Sequence, residues 1–117
     1  LRVRRLMATL GSAAMVSAAV LAGASAASAD AADLEACQAQ KAVCFFANGV
    51  EGEPASYPGA PTTCTVLPFT VHTEFNFSTK AIQVYRTTDC TGHALTFPAN
   101  DFHTFNGFDG RSFKAAS

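Results

Sequence analysis

The clearest alternation in the chain is "TVLPFTVHTEFNF", Thr65 to Phe77. Leu67, Phe69, Val71, Thr73, Phe75 and Phe77 fall on one face, and Val66, Pro68, Thr70, His72, Glu74 and Asn76 on the other. Period two with one aromatic face predicts a single half-buried strand, and Pro68 an edge position or a bulge within it. Burying one such side chain contributes about 1.5–3 kcal/mol, so this face is expected to be a main source of stability. "AVCFF" (42–46) is an apolar run of the right length for a fully buried strand. "AIQVYR" places Ile82 and Val84 on one side and Gln83 and Tyr85 on the other, "TTDCTG" turns the chain, and "HALTF" returns with Leu95 and Phe97 inward before Pro98 stops it. Asn106-Gly107 and Asp109-Gly110 in the aromatic-rich tail read as hairpin signals. Short strands at this spacing with little helix predict an all-β fold, a small β-sandwich or Greek-key unit.

The N-terminal pattern is different in kind. Arg2, Arg4 and Arg5 precede an apolar, alanine-rich run from about Leu6 to Ala24, which ends in Ala27-Ser28-Ala29 before Asp30. A basic start, an apolar run and an A-x-A site in that order predict a signal peptide over 1–29, and hence a secreted, extracellular protein with no membrane attachment after cleavage. A membrane anchor is the weaker reading, because Gly11, Ser12 and Ser17 interrupt the run. Leu1 in place of Met reads as a non-standard start codon and points to a bacterial source. Removing 29 of 117 residues leaves 88, with five basic and nine acidic side chains, so the net charge moves from −1 to −4. An acidic domain offers no basic stripe to a phosphate backbone, which argues against nucleic acid as a partner.

A single domain of this size buries a modest fraction of its surface and gains from staples. The four cysteines, Cys37, Cys44, Cys64 and Cys90, all lie after the cleavage site and allow three pairings. We expect Cys37–Cys44, which are close in sequence, and Cys64–Cys90, which would tie the central strand to the "TTDCTG" corner. Zinc is the rival use, but the spacing lacks C-x-x-C. Residues 30–41 read as an N-terminal arm with a short helix capped by Asp33, and 42–117 as the β-sandwich domain. Within it, 48–63 carries Asn48-Gly49, Gly52, Pro54, Pro58-Gly59 and Pro61, a long Pro/Gly-rich loop with room for an edge strand. Stiff and anchored near Cys64, the stretch Gly49 to Thr63 is the best interaction candidate, with Glu53, Pro54, Tyr57 and Pro58 as contact residues.

The last third resembles one Greek-key motif of the β/γ-crystallin type. That motif has an aromatic residue, a glycine about seven positions on, and a later serine that bonds back over a folded hairpin; Tyr85, Gly92 and Ser112 match those roles, and "FNGFDGRSF" is similar to the closing segment. Glycine is needed where a Cβ would forbid the backbone conformation. Small exported bacterial peptidase inhibitors of the metalloproteinase-inhibitor type share this fold. This chain resembles them in its leader, in the early pair Cys37…Cys44-Phe45-Phe46, and in a Tyr-x4-Cys-x-Gly corner, Tyr85 to Gly92. The resemblance implies a β/γ-crystallin-type sandwich and a secreted inhibitor of an extracellular peptidase; we expect it to be monomeric and non-catalytic. The alternative is an extracellular β/γ-crystallin-like binding or structural module with weak calcium affinity. The first half of the chain shows no equally clear Tyr…Gly…Ser set.

The chemistry-bearing residues give no enzyme signature. No H-E-x-x-H, G-x-S-x-G or P-loop string occurs. His72, on the polar side of its strand, reads as a solvated surface residue, and His93 and His103 as packing or surface residues. No cofactor is expected. For calcium, Asn100-Asp101-Phe102-His103-Thr104-Phe105 approaches the N/D-N/D-x-x-S/T-S string of crystallin-type sites but ends in Phe105, leaving Asn100 and Asp101 as weak ligand candidates. Asp109-Gly110-Arg111-Ser112 is nearer the expected place but sets a cation beside it. Asn76-Phe77-Ser78 is a glycosylation sequon by string, expected to go unused in a bacterial chain.

Overall fold

The structure, a computed structural model, describes residues 22–117, with side chains from residue 31 onward. The basic start and most of the apolar run of the expected signal peptide lie outside the described residues. A helix, α1, runs Ala22–Ala39. It is longer than the expected short turn and passes through Ala27-Ser28-Ala29, so Asp33 sits inside it and caps nothing. Lys41, with φ 52°, takes the left-handed conformation just past its end, and the chain then enters the first strand. Among the described residues no helix is long and apolar enough to cross a membrane.

Eight strands follow: β1 Ala42–Phe46, β2 Ala55–Pro58, β3 Thr65–Val71, β4 Thr73–Asn76, β5 Ile82–Tyr85, β6 Ala94–Phe97, β7 Asp101–Thr104 and β8 Gly110–Ala115. They form two antiparallel four-stranded sheets with orders β2-β1-β4-β7 and β3-β8-β5-β6. Each sheet takes three strands from one half of the chain and the third strand of the other half. The halves correspond in register: Phe46 opposes Thr73 as Tyr85 opposes Ser112. Gly52 and Gly92, with φ 80° and 85°, hold matching corners after β1 and β5. The first half thus has its own aromatic–glycine–hydroxyl set, disguised in sequence by Phe46 and Thr73 standing where the second half has tyrosine and serine.

The expected single strand from Thr65 to Phe77 is two strands in opposite sheets. The chain crosses at His72, whose N–H donates to the Phe46 carbonyl (3.1 Å) and whose carbonyl accepts from Phe105 N–H (2.7 Å). Alternation continues through the crossing, but the interior is now on the other side. Leu67 and Val71 point into the main core. Past His72 it is Glu74 and Asn76 that share the face of Val43 and Phe45, while Phe75 and Phe77 join Cys37, Ala42 and Cys44 on the outer face. Asp109-Gly110 and Asn106-Gly107 close no hairpin, because β7 and β8 lie in different sheets. Gly110 is instead packed flat: a Cβ there would meet Val71 Cγ2 and Val84 Cγ1 at 2.8 Å.

The core between the sheets is built of aromatic and branched side chains, with Phe113 against Phe45 (4.7 Å between ring centres) and Tyr57 (4.9 Å). All five residues of β1 are buried, as its unbroken apolar run requires. Disulfides join Cys37 to Cys44 and Cys64 to Cys90, with Cα separations of 6.3 and 5.8 Å. The first fastens α1 to β1; the second links the start of β3 to the corner after β5. Buried Asn76 is fully used. Its amide donates to the carbonyls of Lys80 (2.8 Å) and Pro98 (3.0 Å), and its oxygen accepts from Ser78 N–H (3.0 Å) and Oγ (2.6 Å). In the folded chain the sequon asparagine is therefore closed to glycosylation.

Candidate functional site

The segment singled out in the sequence is mostly ordered backbone. Asn48 and Glu51 form an isolated bridge around Gly49, which has φ 56°. Edge strand β2 then pairs with β1 over Ala55–Pro58. Beyond it, Gly59 N–H donates to the Lys41 carbonyl (3.1 Å), and the Pro61 carbonyl accepts from Ala115 N–H (2.7 Å). Cys64 then closes the stretch through its disulfide. Glu51, Gly52, Glu53, Ser56 and Pro58 are exposed, and Pro54 is half-buried. Tyr57 is turned inward against Phe113 and Phe45, which raises its phenol pKa by burial. Its half-buried ring packs against the core, and the outward side chains next to it are Ser56 and Pro58.

Tyr85, Gly92 and Ser112 come together at the other end. Ser112 Oγ donates to the Thr87 carbonyl (2.6 Å) and accepts from Cys90 N–H (3.1 Å), bracing the hairpin folded over β5. Tyr85 is buried, with its hydroxyl donating to Gln83 Oε1 (3.0 Å). Thr73, in the corresponding place of the first half, is buried with its hydroxyl unpartnered.

His72 is no free surface group. One ring nitrogen lies 2.9 Å from the Ala47 carbonyl and the other 2.8 Å from Asp109 Oδ1. Both partners accept only, so the arrangement is best satisfied by the doubly protonated ring. The Asp109 carboxylate, and then the Ala47 carbonyl, raise the His72 pKa; the same contact lowers that of Asp109.

The densest chemistry centres on Glu74, which the sequence places on the polar face of its strand, and takes in Asp101, one of the two weak calcium candidates. Glu74 is fully buried on the inner face of β4, opposite His103 of β7. Neither of its oxygens has a hydrogen-bond donor. One ligand-type atom each of Glu74, Asp101 and His103 lies within 4.8 Å of the others. Asp101 Oδ2 is 2.6 Å from His103 Nδ1, and the three grade from interior to surface, the Asp101 side chain being 16% exposed and that of His103 57%. His103 also rests on the Phe97 ring at 5.4 Å. Burial, reinforced by neighbouring Asp101, pushes the Glu74 carboxyl up to about 9. Kept protonated, Glu74 gains an O–H that it can donate toward Asp101, which answers its lack of a donor. Of the two calcium candidates, Asp101 belongs to this cluster. Asn100 precedes it as an exposed residue in the left-handed conformation, φ 56°. The clue in sequence was β1: a strand apolar on both faces belongs to a sheet covered on both sides, so a neighbouring strand buries its polar face too. Comparison with protein-family models, with curated proteins and with solved structures finds no match for this chain.

Proposed function

We propose that this is a small secreted, non-catalytic protein of the β/γ-crystallin type that binds and inhibits an extracellular peptidase through the segment Gly49 to Thr63. The observation that carries the reading is that this segment is ordered before any partner arrives. It is held by the β1–β2 ladder, the Lys41–Gly59 and Pro61–Ala115 hydrogen bonds and the Cys64–Cys90 disulfide. A pre-ordered strand loses little entropy on docking. β2 is an edge strand, so its outer backbone groups are free to pair with a cleft that takes extended chains. Pro54 and Pro58 bracket it and limit the indiscriminate pairing that open edges invite. The test is titration against a panel of metallo- and serine peptidases. Inhibition that is complete near one equivalent, with the inhibitor recovered uncut, supports the reading; an unaffected panel removes it.

A second reading, an extracellular β/γ-crystallin-like binding module, is favoured by the exchange of third strands between sheets and by the Ser112 brace, which are features of framework and require no peptidase.

A further inference from the structure

We propose that Glu74, Asp101 and His103 form a binding site for one divalent first-row transition ion of the Zn²⁺ or Mn²⁺ class at the rim between the two sheets. Two carboxylates and one imidazole from neighbouring antiparallel strands converge with their ligand atoms within 4.8 Å. Bound Zn²⁺ takes nitrogen and oxygen donors at about 2.0–2.2 Å in a tetrahedron, so its donors lie about 3.5 Å apart. To close on an ion the widest pair has to draw in by no more than about 1.3 Å, while Asp101 and His103, now 2.6 Å apart, open slightly.

The second observation is Glu74 itself. A fully buried carboxyl group with no donor to either oxygen is costly to retain. The rest of the inner face is either apolar or, like Asn76, satisfied at every atom. Glu74 thus faces Asp101 and His103 with no donor to either oxygen, and it would release its proton on taking an ion. The route in is present as well: His103 is solvent-exposed and Asp101 partly so, while Glu74 forms the closed inner end. The hydrogen between His103 Nδ1 and Asp101 Oδ2 occupies the place an ion would take. The imidazole favours a first-row transition ion over calcium, which prefers an all-oxygen shell. Three protein ligands leave at least one position for water or for a group from a partner.

The experiment is calorimetric titration of chelator-stripped protein with Zn²⁺, Mn²⁺ and Ca²⁺ in turn, together with the visible spectrum on adding Co²⁺. Expected are saturable one-to-one binding of Zn²⁺ or Mn²⁺, a higher Tm in their presence, and Co²⁺ absorption bands typical of nitrogen and oxygen ligation. Glu74→Gln and Asp101→Asn should each weaken binding at least tenfold and abolish the Co²⁺ bands. His103→Ala changes an exposed side chain and folds regardless, so it decides the matter if the interior variants do not. Calcium binding alone, no saturable binding, or binding unchanged in His103→Ala would overturn the proposal.

Discussion

Replacing Glu74 by glutamine keeps the shape of the side chain and removes its ability to ionise. In the ion-free protein the folded-state carboxyl is pushed up to about 9 from an ordinary 4.5. For an acid with a raised pKa, the folded state is favoured in full below the unfolded value and loses ground as pH rises through the folded one. The window is therefore pH 4.5 to about 9, across which the folded chain holds a proton that the unfolded chain has released. Each unit costs about 1.4 kcal/mol, so the group weakens folding by about 3 kcal/mol at pH 7 and about 6 kcal/mol at pH 9. Asp101 and His103 face Glu74 from β7 and act only on the upper, folded-state end of the window, without reversing the sign. Glutamine is neutral throughout. Urea unfolding of both proteins in chelator, from pH 5 to pH 9, should show the variant gaining on the parent steadily as pH rises. The difference between them isolates this group from others that titrate in the range. A difference that stays constant over the whole interval would refute the reasoning, because it would mean that Glu74 ionises normally where it sits.

Two further expectations separate framework from decoration. Ser112→Ala strands the Cys90 N–H and the Thr87 carbonyl and should cost about 1–3 kcal/mol by urea unfolding, whereas Thr73→Val removes a buried hydroxyl that bonds to nothing and should be neutral or stabilising. A loss of similar size at both positions would sink the distinction. The His72 ring should titrate above 6.5 by NMR and fall back toward that value in Asp109→Asn; its stabilising effect is complete below 6.5 and disappears as pH climbs through the raised value. An unshifted ring in the parent protein would show that the His72–Asp109 contact does not form in solution.

What could be read from the sequence was local. The run "AVCFF" became a wholly buried strand, Ile82 and Val84 face the core, Gly92 has positive φ, and Cys37–Cys44 and Cys64–Cys90 are the pairs that form. Each of these depends on neighbours a few residues away or on one compatible partner. The buried acid was not legible, because alternation reports which residues share a face and not which face is inside. At His72 the chain changes sheets without breaking period, and the residues that look solvent-facing before it point inward after it. Helix α1 was also underestimated, since its alanine-rich segment carries no apolar stripe to mark its length. Tyr57 illustrates the same limit at the scale of one residue. Turn formers surround it on every side in sequence, yet the strand they flank directs its ring into the interior.

The order β3-β8-β5-β6 places the final strand of the chain in the middle of its sheet, and the other sheet cannot be finished without β7. A chain that stops before β7 therefore lacks one strand of each sheet. Both layers are completed only by the last two strands, β7 and β8. For the secreted protein proposed above, which would pass a translocation channel unfolded, this would be a form of delay written into connectivity. It also means that a backbone nick between β4 and β5 would leave two pieces, each supplying a strand to the other's layer, clasped like interlaced fingers.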